Sequence, residues 1–285
     1  MNTTTLSPLV ESCKSFLRAF LIAVAFGLLA GATLSSVGHA TAAPVAAVDN
    51  AAGWQGQSIT CAGRIRQQAQ RIAKLYLQIG MGLEVGHARQ QMSRAAQQID
   101  DDIAELKQHP RDAKAGEALA RVTQSWTDFQ GDFTAPFSSN SKSRVFDSAD
   151  ALSRHTGKLA ATFERSGDAP AASLLDLSLR QNMLVQRLAR LYLMAYAGDT
   201  SAGLQVDIEQ ARREFSAALD ELARTRSNSE ASRRALELTK MQWIFFERAI
   251  ENVGSPRDSN PRHVATTSEQ ILELLDEVSA QYARG

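Results

Sequence analysis

The chain has few residues that interrupt helices, with only 7 prolines and 17 glycines among 285 residues. Aromatic residues make up 6% of the sequence, whereas 44% of it is hydrophobic. This composition favours helices over sheets and suffices for one or two packed cores. Basic and acidic residues number 31 each, so the net charge is zero. Neither nucleic acid nor an anionic membrane surface is therefore expected as a partner.

Catalytic and metal-binding signatures are also absent from the sequence. The histidines beyond the N-terminal region are His87, His109, His155 and His263, and none pairs with another His or Cys at metal-ligand spacing. There is no glycine-rich phosphate loop, no nucleophile elbow and no dinucleotide fingerprint. The sequence therefore predicts no metal, no cofactor and no enzymatic activity.

The N-terminus has the pattern of a secretory signal peptide. Lys14 and Arg18 precede an apolar run over 19–34, which is followed by small residues up to Ala43. We predict a signal peptide over 1–42, export to the periplasm, and a flexible, small-residue leader over 43–57. An uncleaved N-terminal membrane anchor is the alternative.

A single cysteine, Cys61, follows the predicted signal peptide. One cysteine cannot form an internal disulfide. Because Cys61 lies early in a predicted helix, we expect its thiol to be buried. Pairing with another chain is the alternative in an oxidising compartment.

The main feature of the sequence is an internal repeat. Residues 59–77 return within residues 174–193 at a constant offset of 116 positions. Seven residues recur, namely Arg64, Gln70, Arg71, Ala73, Leu75, Tyr76 and Leu77 as Arg180, Gln186, Arg187, Ala189, Leu191, Tyr192 and Leu193. Arg66 is replaced by Asn182 in the second copy. A repeat of this length indicates a duplicated domain or half-domain.

Helical periodicity continues through both copies. Apolar residues recur at alternating three- and four-residue steps, and helix breakers separate four such segments in each copy. We therefore predict an all-α protein made of two tandem antiparallel four-helix bundles, over 58–166 and 171–285. The acidic run Asp100–Asp102 is expected to be a solvated helix face, since adjacent helical positions diverge too far to converge on a cation.

The repeated helix resembles a known family. Ala62-Gly63-Arg64, Arg66, residues 70–74 and Tyr76 match the pattern A-G-R-Q-R-M-L-S-Q-R-I-A-K-x-Y, whereas residues 67–69 depart from it. That pattern is typical of the N-terminal periplasmic domain of type IV pili methyl-accepting chemotaxis transducers. It is similar also to the sensor domain of nitrate/nitrite histidine kinases. The resemblance covers roughly residues 57–109 and 173–225.

The resemblance implies a ligand-sensing helical bundle in which Arg66 anchors a small oxyanion, with Gln70 as support. In the nitrate sensors, the arginine that matches Arg66 comes from both subunits of a dimer. Here two first copies could meet in a homodimer, or the two copies of one chain could pack as a pseudo-dimer that pairs Arg66 with Asn182. A solvated or salt-bridged Arg66 without a ligand is the alternative.

The functional prediction is a periplasmic, non-enzymatic sensory module that binds a small molecule, such as nitrate or nitrite. The sequence after the signal region contains no second membrane-spanning stretch and no signalling domain, so a partner must carry the signal. A membrane receptor, a histidine kinase or a pilus component would fit. The alternative is a structural adaptor that binds such a partner and no small ligand.

Overall fold

The computed structural model describes residues 45–109, 112–165, 169–253 and 260–284. The protein is all-α, as predicted, and the described residues form eight helices without a strand. The helices are α1 (Val45–Gly80), α2 (Val85–Gln108), α3 (Ala113–Phe133), α4 (Ser139–Glu164), α5 (Ala169–Tyr196), α6 (Ala202–Arg224), α7 (Glu230–Glu251) and α8 (Pro261–Tyr282).

Helices α1 and α5, the first helices of the two copies, pack against each other along the centre of the molecule. Helix α1 also contacts α2 and α4, and α5 also contacts α6 and α8. Helices α3 and α7 complete the two sides by packing on α4 and α8. Residues 44–285 form one compact unit, so the predicted pair of tandem bundles is not confirmed. The copies share one core through α1 and α5.

The burial of α1 follows from this shared position. Its apolar stripe, which includes Ile65 and Ile72, is completely buried, as expected for a bundle seam. Polar residues on the same helix, such as Gln67 and Lys74, are buried too, because other helices cover the remaining faces. Gly63 permits close contact with α5, since a Cβ atom there would lie 2.7 Å from the Leu179 side chain.

The duplication is visible in a matching tryptophan contact on each side. Trp126 of α3 donates from Nε1 to Asp100 Oδ1 at 2.7 Å. Trp243 of α7 donates from Nε1 to Ser216 Oγ at 3.1 Å. Asp100 and Ser216 are 116 positions apart, which is the repeat offset. The two copies therefore repeat the packing of the third helix on the second.

The predicted boundary of the first helix is wrong. Helix α1 begins at Val45, so residues 45–57 of the predicted flexible leader are helical. The segment is rich in alanine, which favours helix, and Gln55 Nε2 donates to the Phe163 carbonyl at 2.6 Å. Ser58 consequently lies inside the helix, whereas Ser201 caps α6, where its side chain accepts from the Leu204 backbone N–H.

Two expectations about α1 and α2 have different outcomes. Cys61 is free and fully buried, as expected, and burial together with the nearby Asp102 carboxylate raises the pKa of its thiol to about 12. The acidic run on α2 is a solvated face only in part: Asp100 and Asp101 are exposed, whereas Asp102 is buried and accepts hydrogen bonds from Arg64. Asp100 also accepts a hydrogen bond from Trp126. Periodicity alone did not show that partners from α1 and α3 reach these positions.

The predicted signal peptide over 1–42 lies outside the described residues. Within the described residues, no helix has the length and apolar character needed to cross a membrane.

Candidate functional site

A cleft of about 710 Å³ opens between α1, α4 and α5. Arg66 and Gln70, two of the three residues selected from the sequence, line it from α1. They are four positions apart, so both point to the same side of the helix. Helix α4 contributes Asp150, Ser153 and Gly157 to the opposite wall.

Arg66 is almost enclosed, with 6% of the residue exposed. Its Nη2 atom donates to the Asp176 carboxylate of α5, so the arginine is ion-paired. Its buried Nε–H has no partner in the described part of the chain. Gly157 lies beside this side chain, and a Cβ atom at this position would make an ordinary contact, 4.0 Å from Arg66 Cδ and Nη1. One donor of the charged guanidinium therefore remains unsatisfied within the described residues, beside the cleft.

Gln70 is held by α4. Its Nε2 donates to Asp150 Oδ1 at 2.8 Å and to Ser153 Oγ at 3.0 Å. The Oε1 atom is buried without a partner in the described residues. Because both amide protons are used, Gln70 can offer a ligand only the acceptor Oε1.

Asp150 connects the cleft to the second copy. Arg190 of α5 donates from Nη2 to both Asp150 oxygens at 3.1 Å. Burial opposes ionisation of Asp150, but Arg190 and the Gln70 amide outweigh it and lower the pKa of this carboxyl. The carboxylate is thus charged at neutral pH and fixes the orientation of Gln70.

Further charged residues surround the cleft. Arg180 and Arg187 reach it from α5, and Arg154 and Lys158 reach it from α4. With Arg66, the lining has five basic side chains against three acidic ones, Asp150, Glu164 and Asp176. The lining therefore carries an excess of positive charge.

The two acidic residues nearest Arg66 repel each other. Burial and the neighbouring Asp176 carboxylate raise the pKa of Glu164, whereas Arg66 acts in the opposite direction. Protonation of Glu164 would increase the positive charge of the cleft further.

Asn182, the third residue selected from the sequence, does not line this cleft. It lies on α5 and its Nδ2 donates to Asp276 Oδ1 of α8 at 2.5 Å. The two copies do pack against each other, but the structure does not bring Arg66 and Asn182 into one pocket. The two repeat-related residues contact different helices: Arg66 pairs with Asp176 of α5, whereas Asn182 donates to Asp276 of α8.

Sequence reasoning missed several residues of the cleft. Arg180 and Arg187 line it from α5 and also form ion pairs with α6, Arg180 with Glu214 at 3.6 Å and Arg187 with Asp207 at 3.5 Å. In the structure their equivalents pair elsewhere, Arg64 with Asp102 and Arg71 with Glu269. The only sequence signal for these residues was their position on the same helix as Asn182. That signal did not distinguish the side of α5 that faces the cleft from the side that faces α8.

No group of three His, Cys, Asp or Glu side chains in the described ranges could hold a metal ion.

Comparison of the chain with family models, with curated proteins and with solved structures gave no significant match.

Proposed function

We propose that this protein is a non-enzymatic ligand-binding module of the sensory type, and that the cleft between α1, α4 and α5 holds a small anionic molecule. The observation that carries the proposal is Arg66, which lines a cleft of about 710 Å³ and has a buried Nε–H without a partner among the described residues. An unsatisfied buried donor costs free energy, and an anion that accepts from it would recover that cost.

The charges of the cleft support an anionic ligand. A guanidinium stays protonated when buried and presents its donors in a plane, which suits carboxylate, nitrate and phosphate groups. Arg66 is already paired with Asp176, so the ligand adds to this pair through Nε or displaces the carboxylate. Arg180, Arg187, Arg154 and Lys158 would attract the ligand and hold its outer part.

The size of the cleft bears on the identity of the ligand. Small-molecule sites generally measure about 300–1,000 Å³, and this cleft falls within that range. Nitrate or nitrite would fill only a small part of it. An organic anion with a carboxylate or phosphate group would use both the Arg66 end and the basic residues at the rim.

The resemblance of residues 62–77 to chemotaxis-transducer and nitrate-sensor input domains supports the same proposal, since those domains are periplasmic ligand sensors. On this basis we propose export to the periplasm and signalling through a separate partner. A membrane receptor, a histidine kinase or a pilus component would fill that role.

Thermal unfolding with a panel of nitrate, nitrite, dicarboxylates and phosphate esters tests the proposal. A ligand at 100 times its dissociation constant should stabilise the wild type by about 2.7 kcal/mol. Arg66→Ala should abolish this stabilisation, and Arg66→Lys should weaken it because the lysine keeps the charge but loses the planar donors. Each shift is taken relative to the same variant without ligand, because loss of Arg66 also leaves Asp176 unpaired.

Asn182→Ala is the matched control. It changes the repeat-related position, which pairs with Asp276 outside the cleft, so the ligand-induced shift should persist. A shift that survives Arg66→Ala would remove the anchor from the proposal. The absence of a shift with every anion of the panel would contradict anion binding.

A further inference from the structure

Helix α7 exposes an apolar face to solvent. Leu238, Met241, Ile244 and Phe245 are 40%, 50%, 62% and 60% exposed. Steps of three and four residues place these side chains on one side of the helix. Trp243 lies on the opposite side and packs into the core. The apolar face is thus separate from the face that stabilises the fold.

The first copy provides an internal comparison. Trp126 and Phe129 of α3 correspond to Trp243 and Phe246 of α7, and all four are buried. At the same offset of 117 positions, the exposed residues of α7 correspond to Arg121, Gln124, Thr127 and Asp128 of α3. The same fold position is therefore polar in one copy and apolar in the other. Since the fold accepts a polar face here, the apolar face of α7 has a cause other than folding.

Charged residues continue this face at both ends. Arg234 and Glu237 precede the apolar residues, and Arg248 and Glu251 follow them, all exposed. Within the described residues, neither Glu237 nor Arg248 has an ion-pair partner, whereas Arg234 pairs with Glu230 and Glu251 pairs with Arg212. Together with Met241 and Ile244, the four charged residues follow alternating steps of three and four, which is the spacing of an interhelical seam.

We propose that α7 binds the α7 helix of a second copy of this chain, antiparallel and about a two-fold axis. With the axis midway along the seam, Met241 lies opposite Ile244 of the partner subunit. Glu237 then lies opposite Arg248 of the partner subunit, and Arg234 lies opposite Glu251 of the partner subunit. Each of these four charges meets the opposite sign, and the two-fold axis repeats each pair.

The size of the face sets the strength of this dimer. With side-chain areas on the order of 200 Å² each, the four exposed apolar residues present roughly 400 Å² per protomer. A standard interface buries about 800 Å² per partner, so the flanking charged residues must contribute the remainder. We expect a reversible dimer with a dissociation constant on the order of micromolar.

Sedimentation equilibrium of the purified protein tests the proposal. The concentration should range from roughly 1 to 200 µM, about two decades around the expected dissociation constant. Ile244→Glu should raise the dissociation constant at least about tenfold, because it places a charge in the seam. Thr127→Glu makes the same change at the equivalent position of α3 and should leave the dimer unchanged. Ile244 is exposed, so circular dichroism should show both variants folded.

A charge exchange tests the antiparallel register. Arg248→Glu creates two like-charge contacts per dimer and should weaken association about tenfold. The double variant Glu237→Arg with Arg248→Glu restores opposite charges and should recover wild-type association. A monomer throughout the concentration range, or a dimer unaffected by Ile244→Glu, would overturn the proposal. Failure of the double variant to recover association would overturn the antiparallel pairing.

Discussion

Replacing Glu269 by glutamine should strongly destabilise the protein, because it removes the partner of a buried ammonium. Lys74 of α1 is 1% exposed and donates to Glu269 and, at 3.0 Å, to Ser268 Oγ of α8. Arg71 also contacts Glu269, at 2.5 Å. The first helix of one copy is thereby joined to the last helix of the other. Glu269→Gln leaves Lys74 buried without a counter-charge, whereas the glutamine side chain has nearly the same shape as the glutamate.

The magnitude follows from the pKa of Glu269. Burial opposes ionisation, but Lys74 and Arg71 outweigh it and lower the pKa of this carboxyl from 4.5 to about 2. A shift of this size corresponds to about 3 kcal/mol of stability at pH 7. The loss of stability should not exceed about 4.6 kcal/mol, because an unpaired Lys74 can release its proton. Removing the proton from a lysine with a pKa of about 10.4 costs this much free energy at pH 7.

The pH dependence has a definite sign. The pKa of Glu269 is lower in the folded state, so its contribution is complete above pH 4.5 and is lost as the pH falls towards 2. The difference in stability between the wild type and Glu269→Gln should therefore be constant from roughly pH 5 to 7, because this range lies above the unfolded pKa of Glu269. It should shrink progressively below that range.

Urea unfolding followed by circular dichroism measures the difference in stability. It is repeated at pH values above the unfolded pKa of Glu269 and below it. Lys74→Met is the control, and it should cost only about 1 kcal/mol because Glu269 is 20% exposed and keeps Arg71. The double variant should be more stable than Glu269→Gln alone. A cost for Glu269→Gln below about 1 kcal/mol at pH 7, or a cost that does not shrink as the pH falls below the unfolded pKa towards 2, would refute the reasoning.

Two further predictions concern the buried side of α1. Gly63→Ala should cost about 1–3 kcal/mol, since its Cβ would collide with Leu179, whereas the control Gly116→Ala meets no atom within 4 Å and should stabilise α3 by about 0.5–1 kcal/mol in the same urea assay. Cys61 should not react with a thiol reagent in the folded protein and should react fully in denaturant, because it is buried and its thiol pKa is raised to about 12. Rapid labelling of the native protein would contradict this.

The helices were predictable because their signals are local. Three- and four-residue spacing gave the helical segments, and breakers such as Gly80 and Gly198 marked their ends within a few residues. The start of α1 was not predictable, because contacts such as that of Gln55 with the Phe163 carbonyl involve distant residues. The small residues before Ser58 are compatible with either a helix or a linker.

The candidate cleft was predicted only in part. Arg66 and Gln70 share one face of α1, which their four-residue spacing already required. Their partners Asp176 and Asp150 come from α5 and α4, and no sequence pattern links these residues to α1. The separation of Asn182 from Arg66 likewise depends on which side of α5 faces α1.

The sequence by itself determined that the protein is helical and that it contains an internal repeat. It also determined which helix of each copy carries the repeated residues. These properties follow from local periodicity and from self-comparison. The tertiary structure alone decided that the copies share a core through α1 and α5. It also decided which charges pair, such as Lys74 with Glu269 and Arg190 with Asp150. Buried ion pairs depend on the distance between residues far apart in the chain, and composition and spacing do not specify that distance.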